Sequence, residues 1–299
     1  MADRLARFLT DDGAVRAVAA VTTDLCDEAR TRHGTFPTAT AALGRALTSA
    51  LLLATTVKRD ERLSMEFSGD GPLRGLLAEA TPEGTTRGFA YRPKTDVPPR
   101  GGKLDVGGAL GSGILCVMRV PLAGGSIYRS IVPLVSGEIG VDVASYLVTS
   151  EQTPSAVGVG VLVGCAGDVR AAGGYLLQGM PGADPGVLER LAARVEGVPP
   201  PSDLVRRGLG AVDILGELLV GMPGRVLEER AVRFQCRCGR DRVRAAIVAM
   251  GRDEIEALLA EGRCAEAVCE FCSTTYVVDE YELTLLLDSA RPDGRGPDA

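Results

Sequence analysis

The sequence predicts an α+β chain in three parts: a mixed sheet-and-helix N-terminal domain (residues 1–178), a helical linker (179–230) and a small cysteine-bearing C-terminal domain (231–290), with a frayed Pro/Gly/Asp-rich tail (291–299). Three observations carry this division. Helical and strand periodicities interleave in the first part without the regular strand–helix alternation of a doubly wound sheet. The break Gly179-Met180-Pro181-Gly182 opens a segment of weak amphipathic helices. Four of the eight cysteines then gather as two close pairs near the C-terminus.

From Thr38, just after Pro37, the residues Leu43, Ala46, Leu47, Ala50, Ala54 and Val57 recur at helical spacing, and Lys58 and Arg59 supply cations where the helix dipole favours them. This is a buried amphipathic helix. Leu63, Met65 and Phe67 alternate with Ser64, Glu66 and Ser68, the period of a half-buried strand, which Gly69-Asp70-Gly71-Pro72 ends. Further strands are expected at Gly75–Ala80, Arg87–Tyr91, Ile114–Val120 and Ser126–Leu134, the last two joined as a hairpin by Leu122-Ala123-Gly124-Gly125. Gly140–Glu151 reads as a helix stopping before Pro154, and Ala156–Cys165 with Ala172–Gln178 as an antiparallel pair. Gly107, Gly108, Gly111 and Gly113 read as turn glycines rather than a phosphate loop.

Beyond Gly179, Asp184 is placed to cap a helix with Pro185 at its first position and Val187, Leu188, Leu191 and Val195 on one face. Pro199-Pro200-Pro201 ends it. A second helical stretch, Ser202–Val220, contains Gly208, Gly210 and Gly216, each costing about 1 kcal/mol against Ala in a helix interior. The segment is amphipathic enough to dock, yet poor in intrinsic helix stability. From Ala231, a strand carrying Cys236-Arg237-Cys238-Gly239 is expected, then helices over Arg240–Met250 and Asp253–Glu261, a strand Thr274–Val278 and a short helix to Leu287.

With 299 residues, 45% hydrophobic and 24% charged, the composition is that of an ordinary globular protein, and the absence of Trp leaves the core to Ala, Val, Leu and Ile. A net charge of −6 provides no general basic field for nucleic acid or an anionic membrane. The first residues lead into no signal-type apolar stretch, and the densest apolar segment, Ala46–Val57, is too short to span a bilayer, so a cytoplasmic location is expected. His33 is the single histidine; before Gly34 it reads as a helix-end residue that caps carbonyls, not a catalytic base. Asp70, Glu151 and Asp168 show no paired-carboxylate spacing, and no nucleophile–base arrangement stands out. No enzymatic activity is expected.

The cysteines carry the chemistry. Cys236 and Cys238 form a Cys-x-Cys pair, and Cys269 and Cys272 a Cys-x-x-Cys pair about thirty residues later. Two tight turns each supplying two thiolates make a tetrahedral four-cysteine site for one Zn²⁺, and a domain with so thin a core needs the metal to fold. Arg237, Arg240 and Arg242 stand ready to offset the anionic site. Thiols this close permit oxidation with loss of the metal, and equally permit a plain zinc-stabilised module. The flanking arginines leave a nucleic-acid-binding zinc ribbon open, which Asp203, Asp213 and Asp241 weaken, and Cys269-x-x-Cys272 leaves open a thiol oxidoreductase. Cys26, Cys116 and Cys165 read as core packing; Cys264 is a spare thiol, an alternative ligand or a disulfide competitor.

Leu43-Gly44-Arg45-Ala46-Leu47, Gly69-Asp70-Gly71-Pro72-Leu73, Ser150-Glu151-Gln152 with Pro154, Gly173-Gly174-Tyr175-Leu176-Leu177-Gln178 and the cysteine tail occur in one order. In this the chain resembles, over nearly its whole length, the redox-regulated holdase chaperones, the thirty-three-kilodalton heat-shock proteins of bacteria. The resemblance implies that Cys236, Cys238, Cys269 and Cys272 hold one Zn²⁺ while reduced. Strong oxidants with heat then form the disulfides Cys236–Cys238 and Cys269–Cys272, the zinc domain and linker unfold, and the protein dimerises. It holds unfolding clients without ATP until ATP-dependent foldase chaperones take over. Cys264 lies outside the family pattern, and Ser130 stands where the family has Gly.

Overall fold

The N-terminal residues build a β-hairpin: β1 (Arg4–Thr10) and β2 (Val15–Val21) pair antiparallel across the turn Asp11–Ala14. The computed structural model describes residues 2–262 and 264–290; the expected frayed tail, 291–299, lies outside them. Helix α1 (Thr23–His33) follows and ends at Gly34 in the left-handed conformation (φ 55°) that glycine adopts without strain. Helix α2 (Pro37–Ala54) is buried on every side, its few hydroxyl residues included, and of its 18 residues only Pro37 and Arg45 escape full burial. A helix of that kind belongs inside a core. Gly44 makes this possible, because a Cβ there would run into Val161 Cγ2 and Cys26 Sγ.

Strands β3 (Glu61–Gly69), β4 (Gly75–Ala80) and β5 (Thr85–Ala90) form a meander, short α3 (Val106–Leu110) interrupts it, and β6 (Gly113–Pro121) and β7 (Tyr128–Pro133) make the expected hairpin. After α4 (Ile139–Thr149) come β8 (Ser155–Val163) and β9 (Val169–Gly179), paired antiparallel as expected. Cys165 is not core: it is exposed in the turn between them, because β8 stops at Val163 and Gly164–Asp168 reverse the chain.

Past Gly179 the chain forms α5 (Pro185–Gly197), α6 (Pro201–Arg206) and α7 (Ala211–Leu218). Asp184 occupies the N-cap position of α5 but makes no side-chain cap bond. The single stretch expected over Ser202–Val220 is two helices, since Gly208 takes φ 93° and breaks the ladder. Then β10 (Gly224–Ala231) returns to pair with β1, and β11 (Arg233–Phe234) runs parallel to β5. One sheet therefore has the order β10-β1-β2-β9-β8 and the other β11-β5-β4-β3-β6-β7. The inner faces of both sheets supply much of the core around α2. The outer face of the first sheet is covered by α5–α7, where Leu204, Val205, Ile214, Leu215 and Leu218 are buried with Ala17, Ala19 and Leu177.

The chain divides into two units, Met1–Gln235 and Cys236–Ala299, so the segment 179–230 packs within the first. The second contains α8 (Arg240–Met250), α9 (Arg252–Ala260), the hairpin β12 (Ala265–Val268) and β13 (Thr275–Val278), and α10 (Glu280–Leu287). Its buried apolar cluster is small: Ile247, Ile255, Val278, Leu283 and Ala290. Cys236–Gly239 is not a strand as expected but an irregular stretch that leads into α8 with Gly239 as its N-cap.

Candidate metal centre

Two local structures bring the four sulfurs together. Gly239 stands at the N-cap of α8, so Cys236 and Cys238 lie just ahead of the helix. The other pair occupies the tip of the β12–β13 hairpin. There Cys269 N–H donates to the Thr274 carbonyl (3.0 Å), Ser273 N–H to the Cys269 carbonyl (2.7 Å), and Ser273 takes φ 55° to close the turn. All four Sγ atoms lie within 4.8 Å of one another. Cys236 and Cys269 sulfurs are 3.6 Å apart, and those of Cys238 and Cys272 are 3.4 Å apart.

Four thiolates at 2.3 Å from a tetrahedral centre stand about 3.8 Å apart, so the cluster has the dimensions of a closed four-sulfur site. The donor set is wholly thiol and supplies all four positions, as structural zinc sites do. Zn²⁺ therefore fits these residues best. When bound it would contribute folding free energy to a unit with five buried apolar residues at its centre.

Hydroxyl groups frame the sulfurs. Tyr276 OH donates to Cys238 Sγ (3.0 Å), and Thr274 Oγ1 lies 3.2 Å from Cys272 Sγ. Burial pushes the Cys269 thiol up to about 12, reinforced by Cys236 and Cys272. Burial opposes ionisation of Cys272 too, but its bonds to Thr274 and the neighbouring sulfurs outweigh that and draw it down to about 7. Tyr276 and Thr274 were not singled out from the sequence; the signal was two hydroxyl side chains within four residues of Cys272. Arg240 turns to Glu282 (2.5 Å) and the Val277 carbonyl (3.2 Å), and Arg244 joins Glu282 (2.6 Å), so these arginines tie α8 to α10.

The remaining cysteines stand apart. Cys264 is exposed immediately before β12, four strand residues or about 13 Å of chain from the hairpin tip, and is no member of the cluster. Cys26 is buried on α1, and burial pushes its thiol up to about 12, so it is inert. Cys116 is buried on β6 and accepts from Arg129 Nε (3.2 Å). His33 closes α1. Among the described residues no helix is long and apolar enough to cross a membrane.

The family model described as Hsp33 protein matches residues 3–279. The chain belongs to the Hsp33 family. It is 48% identical over 278 residues to the 33 kDa chaperonin of Symbiobacterium thermophilum, covering 92% of this chain and 94% of that protein. It is 44% identical over 298 residues to the 33 kDa chaperonin of Acaryochloris marina, covering 98% and 99%. The crystal structure of the 33 kDa chaperonin of Thermotoga maritima superposes with a TM-score of 0.89 at 35% identity, covering 97% of this chain and 99% of that one. Mixed sheets and helices with a cysteine-based C-terminal unit are thus the Hsp33 fold, and a chaperone role comes with the family.

Proposed function

We propose that the chain is an ATP-independent holdase, inactive while Cys236, Cys238, Cys269 and Cys272 are reduced around one Zn²⁺ and activated when oxidation joins Cys236 to Cys238 and Cys269 to Cys272. The observation that carries this reading is the apolar face hidden beneath α6 and α7. These helices have 6 and 8 residues, too short to persist alone, yet they bury Leu204, Val205, Ile214, Leu215 and Leu218 against Ala17, Ala19 and Leu177. Their departure would uncover a continuous apolar surface suited to unfolding proteins.

The sulfurs supply the trigger. A peroxide-class oxidant takes two electrons from one thiolate to give a sulfenic acid, and the neighbouring thiol displaces water to form the disulfide. Sulfurs so bonded no longer serve as thiolate ligands. Reduced, the cluster links chain positions 33 and 34 residues apart. The two local disulfides link neighbours only, so the tie across the unit is lost. The C-terminal unit then unfolds, and the helical part of the linker (residues 179–230), α5–α7, leaves the sheet while β10 stays paired with β1. Clients are unfolding proteins in the cytoplasm, the oxidised form is a homodimer, and ATP-dependent foldases receive the clients. Neither nucleic acid nor a membrane takes part.

The test is light scattering from a heat-unfolding client with the chain added reduced and zinc-loaded, or after warm peroxide treatment. Suppression by the oxidised form alone is expected. Equal suppression by both forms would make the chaperone constitutive, and suppression by neither would overturn the assignment.

A further inference from the structure

The metal centre leaves a second polar cluster unused. A cavity of about 250 Å³ lies in the N-terminal unit at the C-terminal end of α2, with walls from β2, β9, β3, β6 and α4. Arg16 and Arg119 face into it from the two sheets, beside Tyr146, Glu151, Thr153 and Gln178. Two of the sequence motifs, Ser150-Glu151-Gln152 and Gly173–Gln178, thus meet here, far from the cysteines in sequence.

The charges do not balance. Glu151 is already shared: its Oε2 accepts from Arg119 Nη2 (2.6 Å) and its Oε1 from the Tyr146 hydroxyl (2.5 Å). Arg16 has no carboxylate partner among the described residues; its Nη2 donates to the neutral Gln178 Oε1 (2.5 Å), whose amide nitrogen is turned to Ser155 Oγ (3.3 Å). The Nε atoms of both arginines are shielded from solvent without a partner. A guanidinium cannot shed its proton, so a half-buried one without a counter-charge is costly until an anion reaches its terminal nitrogens from the cavity. Tyr146 and Gln178 are almost wholly buried (1% and 3% exposed), which fixes the walls around it.

The arginines are not needed to cap α2. Its terminal carbonyls are already taken by Thr55 Oγ1 on Leu52 (2.7 Å) and Thr56 Oγ1 on Leu53 (2.8 Å). The cavity is smaller than the 300 Å³ or so where drug-sized ligands begin, which restricts the occupant to a small ion. We propose that this cavity binds one small oxyanion between the guanidinium groups of Arg16 and Arg119. Arg forks suit both phosphate and carboxylate oxygens, so either ion satisfies the chemistry.

The experiment is calorimetric titration of the full-length, reduced, zinc-loaded chain with sodium phosphate, sodium sulfate or sodium acetate, each against sodium chloride at equal ionic strength. One saturable site per chain is expected. Saturation by phosphate and sulfate names a tetrahedral oxyanion, and saturation by acetate alone a carboxylate. Arg16→Gln is expected to weaken binding roughly tenfold or more, and Arg16→Lys to retain part of it. Should Arg16→Gln fail to fold, the arginine Nε–H resonances of the wild-type chain decide: those of Arg16 and Arg119 should move together with saturation. No saturation beyond chloride, unmoved Arg16 resonances, or unchanged binding in folded Arg16→Gln would each overturn the site. None of these readouts depends on the redox switch.

Discussion

Oxidising the four thiols to the two local disulfides should cost the C-terminal unit its fold, and the size of the effect follows from the chain length that the sulfurs span. In the reduced cluster Cys236 meets Cys269 and Cys238 meets Cys272 across 33 and 34 residues. A cross-link over a loop of that length is worth about 4 kcal/mol, and a bound Zn²⁺, which the unfolded chain does not hold, would contribute at least as much to the folded unit. A unit of this size has a total stability of roughly 3–8 kcal/mol. Among the described residues its fully buried apolar centre is Ile247, Ile255, Val278, Leu283 and Ala290, with partly buried neighbours such as Val243 and Leu286 around it. Disulfides between near neighbours restore almost none of the lost closure. Hydrogen exchange of the amides in α8, α9 and α10 reads this directly. Protection should fall by roughly a thousandfold, the equivalent of 4 kcal/mol. Protection at Ile247, Ile255 and Leu283 that survives complete oxidation would refute the reasoning, because the unit would then be held by its apolar contacts alone.

Further expectations concern single residues. Cys236→Ser should abolish stoichiometric zinc, measured by metal analysis of the purified chain, whereas exposed Cys264→Ser should leave it at one per chain; the reverse pattern would sink the ligand set. Ile214→Ala, at a fully buried α7 position, should loosen the linker by about 2–4 kcal/mol and give measurable holdase activity without oxidant in the scattering assay. No gain in activity, with the linker demonstrably more protease-sensitive, would separate linker release from client binding. Burial of Asp3 raises its carboxyl to about 6 from an ordinary 3.8, although Leu25 N–H (2.7 Å) and Asp24 N–H (3.1 Å) favour the charge. Because the folded value lies above the unfolded one, its stabilisation is complete below about pH 4 and is lost as pH rises through 6, by up to about 3 kcal/mol. A carbon-detected NMR titration should show the Asp3 midpoint near 6, and a midpoint near 4 would contradict it.

The four-cysteine cluster was legible because spacing alone brings thiols together: Cys-x-Cys and Cys-x-x-Cys need only tight local turns, and α8 occupies the interval as its apolar period indicates. The strand through Leu63, Met65 and Phe67 was legible for the same local reason, although Ser64, expected on the open face, is buried as well. What escaped depends on distant partners. The hairpin β1–β2 is rich in Ala and interrupted by Arg4 and Arg7, whose charges are met by Glu229 and Glu228 more than 200 residues away. Strand β10, Gly224–Ala231, carries those glutamates and reads locally as a charged, exposed run, so its place at the edge of the first sheet is set by β1. Cys165 was misplaced because a strand's apolar pattern does not say where the turn begins; Gly164 and Gly167 decide that. The helical stretch over Ser202–Val220 was seen, but its division at Gly208 rests on a backbone conformation rather than a hydrophobic period.

Strands β9 and β10 belong to the same sheet, and helices α5–α7 are the excursion between them. The covering segment is therefore stitched down at both ends, a flap with two hems rather than a tail. If it lifts as proposed, it would remain beside the face it left, at the millimolar effective concentration typical of a short tether. Its return would then be an intramolecular closure that needs no search through solution, and a client bound there would have to compete with that lid. The same stitching confines how far the flap can billow, so the area offered to a client is bounded by the sheet beneath it and the length of chain between the hems.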